Sequence, residues 1–210
     1  MAPQTTSLKG ILNNYHCLSE DVLAAIKNVC VGFSVEKNQA IVVQGEKCDS
    51  LYFIRDGLTR VVYSRGEKET TICFGTSGDV FMSFNAMFAG GNSILSWQAL
   101  STVNGWKMKI TKFRELQVLY PELRTWENKL LEEQLYSFEL LFSKMALTTP
   151  KERYLQFLTN RPSFLRSLPV NRLTRVLPVK ILAQYLGMTP NTLARIRRIL
   201  IEEEKRKNNQ

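Results

Sequence analysis

Four residues near the C-terminus have types and a spacing suited to contacts with nucleic-acid bases. Asn191, Ala194, Arg195 and Arg198 are spaced i, i+3, i+4 and i+7, so a helix over this stretch places them on one face. In the major groove of DNA an amide can form two hydrogen bonds with adenine, and a guanidinium can form two with guanine. The pattern therefore predicts a helix whose outer face contacts the edges of DNA bases.

The residues before this helix predict a second helix and a tight turn. In the segment LAQYLGMTPNTLARIRRIL, residues 182–200, the inward face of a helix that begins at Val179 is formed by Leu182, Ala183 and Leu186. Gly187 follows at the position where a left-handed residue ends a helix. The small Ala183 side chain allows another helix to cross closely.

The second helix has its own start signal and its own inward stripe. Thr189 is suited to the N-cap, and Pro190 to the first helical position. The stripe that faces the first helix consists of Leu193, Ile196 and Leu200. Together the two helices predict a DNA-binding helix-turn-helix; an αα-hairpin without a DNA-binding role is the alternative interpretation.

The charge distribution agrees with a polyanionic partner at this end of the chain. Residues 151–210 hold 13 Lys and Arg against 4 Asp and Glu, an excess of 9, which equals the net charge of the 210-residue chain. Residues 1–150 hold 15 of each and are neutral. The excess predicts that the C-terminal part contacts nucleic acid or a membrane surface; a solvated basic face is the alternative.

The composition gives no support for catalysis or for a metal site. His16 is the single histidine, and the sequence contains no G-x-S-x-G, no P-loop and no metal-ligand spacing, so we predict no catalytic residues, no metal and no cofactor. His16 beside Cys17 is the weaker hypothesis of a haem ligand. Cys17, Cys30, Cys48 and Cys73 form no C-x-x-C pair and are predicted to be free thiols in a cytoplasmic protein, since the N-terminus lacks a signal-peptide pattern.

Residues 31–110 predict antiparallel β-structure. The runs AIVV, LYFI, LTRVVY and TTICF are rich in β-branched and aromatic residues and are separated by glycines. Asp56-Gly57 predicts a two-residue hairpin, Arg65-Gly66 a second turn, and SWQALSTVNGWKMKI a last pair of strands. Before the strands, Ser19 is a candidate N-cap for a helix. The spacing predicts a sandwich or barrel, with a jelly roll among the possible forms.

From Thr111 onward the apolar period becomes helical. Pro121 separates a short helix from a long one, which carries apolar residues on more than one face. We predict that the long helix packs on its own barrel with one face and on a second subunit with the other; burial within one subunit is the alternative. The candidate dimer residues are Leu123, Trp126, Leu130, Phe138 and Leu141.

The chain therefore has a predicted α+β fold with three parts. These are a β-barrel or jelly-roll domain with an N-terminal helix over 1–110, connecting and dimerisation helices over 111–147, and a helix-turn-helix domain over 148–210. Thr149-Pro150 is expected to begin a helix, and residues 161–176 to form a loop.

This order of parts resembles the Crp-Fnr family of bacterial transcription regulators. The resemblance is strongest in VVQGEKCDSLYFIRDGLTRV, which is similar to the family signature G-E-x-x-x-x-x-Y-x-I-x-x-G, and in LAQYLGMTPNTLARIRRIL. It implies a cytoplasmic homodimer joined along the long helix, with double-stranded DNA and RNA polymerase as partners and no membrane partner. By position, Arg195 matches the family's central base-reading arginine. Further DNA contacts are implied at Thr189, Pro190, Asn191, Arg198 and Lys180.

Two departures from the family narrow this expectation. Members that bind cyclic nucleotides carry a glutamate and an arginine after the Gly-Asp step, whereas this chain has Ser83 near the glutamate position and Ser93 near the arginine position. Lys68 is the single basic residue between Arg65 and Lys107, so a cyclic phosphate would lack a counter-charge and cyclic AMP is not expected. The chain also lacks the N-terminal cysteine cluster of the iron-sulfur members and the β-hairpin that usually follows the recognition helix.

The effector pocket and the class of function each have an alternative interpretation. An effector pocket lined by Ser83, Phe84, Ser93 and Trp97 is one hypothesis, and membership of these residues in the core is the other. The effector itself is not predicted. The alternative to a DNA-binding regulator is a ligand-binding or scaffold protein that docks another protein through its helical C-terminal part.

Overall fold

The protein is described here by a computed structural model, which covers residues 6–159 and 177–208. It divides into two compact units, Met1–Tyr136 and Ser137–Gln210, and the long helix runs from the first unit into the second. The loop predicted over 161–176 lies outside the described residues.

The first unit contains two four-stranded antiparallel sheets. Its strands are β1 Val31–Val35, β2 Ala40–Val42, β3 Ser50–Asp56, β4 Leu58–Arg65, β5 Lys68–Thr76, β6 Val80–Phe81, β7 Ser96–Ala99 and β8 Val103–Lys109. The strand orders are β1-β8-β3-β6 and β2-β7-β4-β5. The predicted antiparallel, jelly-roll type of domain is confirmed, and it is an open sandwich rather than a closed barrel.

The hairpin predicted at Asp56-Gly57 is wrong. β3 ends at Asp56 and β4 begins at Leu58, but β3 pairs with β8 and β6 whereas β4 pairs with β5 and β7. Gly57, at φ 106°, is therefore a corner where the chain passes from one sheet to the other. A Cβ there would lie 2.5 Å from the carbonyl oxygen of Thr102, so the corner needs glycine for both conformation and space.

The other turn predictions have mixed outcomes. The turn at Arg65-Gly66 is confirmed, because Arg65 pairs with Lys68 and Gly66 has φ 59° in the β4–β5 hairpin. β7 and β8 occupy the predicted stretch but belong to different sheets, so they do not pair with each other.

Helices cover one side of the sandwich and complete its core. They are α1 Leu8–Asn13, α2 Glu20–Val29, α3 Phe84–Ala89, α4 Ile110–Leu119 and the start of α5 Glu122–Leu147. Ser19 is the N-cap of α2 as predicted, but its hydroxyl donates to the carboxylate of Glu122 instead of accepting from the helix. Pro121 separates α4 from α5, also as predicted.

Trp126 on α5 is the centre of this core. Its ring lies 5.7 Å from that of Tyr15, 5.8 Å from that of Phe113 and 6.4 Å from that of Phe53, measured between centroids. Its Nε1 donates to the carbonyl of Leu12 at 2.8 Å, so the indole has both apolar packing and a satisfied polar atom.

This packing corrects part of the predicted dimer surface. Leu123, Trp126 and Leu130 are at most 1% exposed because they fill the core of their own unit, so they are core residues and not interface residues. Phe138 is exposed and Leu141 is half-buried. The exposed apolar part of α5 begins at Leu135, later than the sequence predicted.

The other helices within the described residues lie in the second unit. They are α6 Pro150–Thr159, α7 Val179–Tyr185 and α8 Pro190–Asn208, which follow the C-terminal end of α5. α6 begins at Pro150 as expected, and Thr149 and Glu152 form a capping box. The Glu152 carboxylate accepts from the Thr149 backbone N–H at 2.7 Å, and the Thr149 hydroxyl accepts from the Glu152 N–H at 3.3 Å.

Candidate nucleic-acid interface

The turn between α7 and α8 is closed by the hydrogen bonds that the glycine makes possible. The N–H of Gly187 donates to the carbonyl of Gln184 and the N–H of Met188 to that of Ala183, both at 3.0 Å. Gly187 has φ 62°, so these bonds form the Schellman arrangement that ends a helix. The predicted left-handed glycine is therefore present, and it fixes where α8 starts.

The N-terminus of α8 is capped as its sequence predicts. The Thr189 hydroxyl accepts from the backbone N–H of Thr192 at 3.1 Å, and Pro190 is the first helical residue. The first turn of α8 contains no acidic residue, so its remaining N–H groups and its positive dipole end are available to an anion.

The two helices share an apolar contact. Leu182, Ala183, Leu186 and Leu193 are fully buried and Ile196 is 5% exposed, so the predicted inward stripe is in place, with Leu200 half-buried at its far end. The ring of Tyr185 also packs edge-on against Phe157 of α6, at a centroid distance of 6.1 Å. Apolar packing on the inner side of α8 therefore fixes the position of its outer face.

The predicted contact residues lie on the solvent side of this support. Thr189, Pro190, Asn191, Ala194, Arg195 and Arg198 are all exposed on the first three turns of α8, and Lys180 is exposed on the first turn of α7. Within residues 6–159 and 177–208, the guanidinium groups of Arg195 and Arg198 have no hydrogen-bond or ion-pair partner. Two cationic groups on one face are thus open to an external anion or hydrogen-bond acceptor.

Arg197 differs from its neighbours because it serves the fold. Its Nε donates to the hydroxyl of Tyr154 on α6 at 3.0 Å, and its guanidinium lies 5.5 Å from the centre of the same ring. Lys151 and Glu203 form an ion pair at 2.7 Å between the same two helices. These contacts fasten α8 to α6 without using its outer face.

Arg153 is a structural residue of this unit that the sequence analysis missed. It is 8% exposed on α6, and its Nε donates to the carbonyl of Leu186 at 2.7 Å. Its position beside Tyr154 and four residues before Phe157 places it on the buried side of α6, which is the signal that could have found it. It was counted instead as part of the basic surface.

In the sandwich, the residues of the proposed effector pocket are occupied by internal contacts. The Ser83 hydroxyl accepts from the N–H of Ala86 at the start of α3, and the Ser93 hydroxyl donates to the carbonyl of Leu95 at 2.7 Å. Trp97 is 5% exposed and its ring lies 4.5 Å from that of Phe81. Phe84 is half-buried and stacks on Phe88.

No group of three or more His, Cys, Asp or Glu within 6–159 and 177–208 could hold a metal ion. None of the helices in the same ranges is both long enough and apolar enough to cross a membrane.

Comparison with known proteins defines the class to which this fold belongs. Residues 33–118 match the cyclic nucleotide-binding domain family. The predicted resemblance to the Crp-Fnr regulators is confirmed: the sandwich, the long helix and the C-terminal helices have the fold of that family.

Three solved structures illustrate the likeness. FixK2 from Bradyrhizobium japonicum is 20% identical, with 84% of this chain and 86% of that chain covered and a TM-score of 0.68. A CooA variant from Carboxydothermus hydrogenoformans is 17% identical, with coverages of 95% and 86% and a TM-score of 0.70. The catabolite activator protein of Thermus thermophilus is 18% identical, with coverages of 92% and 88% and a TM-score of 0.56. No curated protein sequence matches significantly.

Proposed function

We propose that this protein is a homodimeric, sequence-specific DNA-binding transcription regulator. The observation that carries the proposal is the outer face of α8, where Asn191, Arg195 and Arg198 are exposed on a capped helix and both guanidinium groups lack partners in the described part of the chain. Similarity in fold to transcription regulators such as the catabolite activator protein supports it.

In this proposal the N-terminal half of α8 enters the major groove. Arg195 donates two hydrogen bonds to guanine, and Asn191, one turn earlier on the same face, pairs with a neighbouring base. Arg198, Lys180 and the N-terminus of α8 contact phosphates and so fix the register of the helix without reading sequence.

A second copy of the chain supplies the second reading head. Beyond the core of the first unit, α5 carries apolar residues at alternating steps of four and three, which is the 3.5-residue period of a coiled-coil seam. The residues are Leu131, Leu135, Phe138 and Phe142. Leu135 is 72% exposed and Phe142 75% exposed in the single chain, and a second α5 covers them.

The sandwich acts as a sensor domain for a ligand other than a cyclic nucleotide. A cyclic phosphate needs a cation and free donors, but Lys68 is the single Lys or Arg between Arg65 and Lys107, and the Ser93 hydroxyl already donates to the carbonyl of Leu95. The similar structures also support the function of a regulator rather than that of an enzyme.

The test is selection of bound sequences from random double-stranded DNA by the purified full chain, at moderate salt and without added ligand. We expect a two-fold symmetric site whose half-sites lie about one helical turn, 34–36 Å, apart. Binding that remains uniform across sequences, in selections made both without ligand and with an extract of small metabolites, would contradict the proposal.

A docking protein is the second candidate, and one feature favours it. A shallow groove of about 450 Å3 lies beside α8, and Ile201, one of its apolar residues, is 54% exposed; its lining consists of Val179, Ala194, Arg197, Arg198, Ile201 and Glu202. Salt separates the two functions, because release of counterions from neutralised phosphates makes DNA affinity fall steeply as salt rises. Affinity that is insensitive to salt would favour protein docking.

A further inference from the structure

The end of α5 and the turn before α8 are joined by one buried cation. The guanidinium of Arg153 donates to the carbonyls of Leu186 at 2.7 Å and Gly187 at 3.4 Å, at the C-terminal end of α7. It also donates to the carbonyl of Thr148, which directly follows α5. A single side chain on α6 therefore links the segment after the long helix to the turn that sets the start of α8.

Two residues from the last turn of α5 contact the same turn. The Met145 methyl carbon would lie 2.4 Å from a Cβ placed on Gly187, so the methionine packs directly against this glycine. The Lys144 ammonium lies 5.1 Å from the centre of the Tyr185 ring. We refer to Lys144, Met145 and Arg153 together as the turn clamp.

Arg153 is held in place within the clamp for electrostatic reasons. Arg153 is 8% exposed, so its charge must remain on the carbonyls that solvate it, and two of them lie at the negative end of the α7 dipole. The planar guanidinium donates to several acceptors in a fixed fork, a geometry that a lysine ammonium does not reproduce.

Building on the proposed function, we propose that Arg153 is a positioning residue that sets the half-site spacing accepted by the dimer. It holds α8 at a fixed angle to the end of α5, and α5 carries the seam between subunits. One base pair moves a half-site by about 3.4 Å and rotates it by about 35°, so a small change in this angle moves α8 out of register.

The test compares wild type with Arg153→Lys, which keeps the charge, on a graded set of duplexes. The set contains the selected operator, operators with one base pair added or removed between half-sites, and a single half-site. We expect wild type to prefer the selected spacing by at least about 10-fold over the altered ones. In Arg153→Lys this preference falls at least about threefold, while single half-site affinity changes less than about twofold.

Two further variants separate positioning from a general loss of stability. Arg197→Met removes the contact between α8 and Tyr154 but leaves the clamp intact, so it is expected to lower the melting temperature and keep the spacing preference. Met145→Ala loosens the clamp without leaving a buried charge, and is expected to weaken the spacing preference if Arg153→Lys fails to fold. The oligomeric state of each variant is measured at the binding concentration.

The outcomes distinguish the two proposals. If wild type selects one spacing and both Arg153→Lys and Met145→Ala, folded and dimeric, select it as strongly, the role of Arg153 is overturned and the proposed function stands. If wild type itself shows no symmetric site in the selection, the proposed function fails, and the spacing role with it.

Discussion

Arginines in the two units of this chain have opposite surroundings. In the sandwich, Arg60 is 8% exposed, and it donates to Gln98 at 2.7 and 3.0 Å, to Glu69 at 2.7 Å and to Thr71 at 3.3 Å. On α8, Arg195 is exposed and has no polar partner in the part of the chain that the structure describes. The same side chain is a cross-link between strands in one place and an open donor in the other.

The contrast shows that the type of a polar side chain does not by itself indicate where a partner binds. What matters as well is whether its hydrogen bonds are already made within the chain. Among the described residues, no buried side-chain nitrogen or oxygen lacks a hydrogen-bond partner. The buried polar groups of the sandwich and of α6 are therefore satisfied by internal contacts, whereas Arg195 and Arg198 on the outer face of α8 keep donors that a partner can use.

The largest expected effect concerns Arg60, which is paired within the sandwich. Arg60→Met leaves Glu69 and Gln98 without their shared partner, and we expect the free energy of unfolding to fall by about 3 kcal/mol. Lys129→Met is the control, because the Lys129–Glu132 pair is exposed to solvent and should be worth less than about 1 kcal/mol. Urea denaturation measures both, and equal losses would show that the burial of Arg60 does not matter.

The next effect concerns Asp79, a half-buried carboxylate in the sandwich. Burial raises the pKa of Asp79 to about 6, and Glu133 on α5 acts in the same direction, while a hydrogen bond from the Thr76 N–H opposes both. Because the pKa in the folded state lies above the unfolded value of about 3.9, the folded protein binds this proton more tightly. Stability should fall by on the order of 2–3 kcal/mol as pH rises from about 4 to 6.

Substitution isolates this contribution. The Asp79→Asn side chain still accepts the bond from Thr76 but cannot ionise. The stability of this variant should therefore not fall as pH rises from about 4 to 6, and it should exceed that of wild type at pH 7. Denaturation curves at several pH values between 4 and 7 provide the measurement. A variant with the wild-type slope would show that Asp79 is not the group responsible.

The smallest effect concerns the start of α8. Thr189→Ala removes the hydroxyl that accepts from Thr192, and it should cost about 1 kcal/mol of stability. Thr189→Ser keeps that hydroxyl and should stay close to wild type. Thermal unfolding compares the two, and an alanine variant as stable as the serine variant would argue that the cap contributes nothing.

The sequence predicted the helix-turn-helix well because its signals are local. Gly187, Thr189 and the stripe that includes Leu193 act on residues within one or two turns of themselves, so the pattern alone defines the ends and faces of the helices. The same reasoning identified the exposed face of α8.

Predictions that depended on distant partners were less accurate. Asp56-Gly57 has the composition of a hairpin, but β3 and β4 pair with strands that lie far away in sequence, and local turn chemistry carries no information about them. Leu123 and Trp126 have the spacing of an interface stripe, yet periodicity does not say which stripe the domain covers itself. Arg153 was missed for the same reason.

A double-mutant cycle tests most directly whether Arg195 reads a base. Wild type and Arg195→Ala are titrated with the selected operator and with an operator in which the contacted guanine is replaced by 7-deazaguanine, which lacks the N7 acceptor. Arg124→Ala, on the exposed face of α5, is the control.

We expect wild type to lose about 1–3 kcal/mol on the modified operator and Arg195→Ala to lose a similar amount on the unmodified one. The variant should lose nothing more on the modified operator and should keep its affinity for random DNA. Additive losses, or an equal loss on random DNA, would contradict base reading by Arg195.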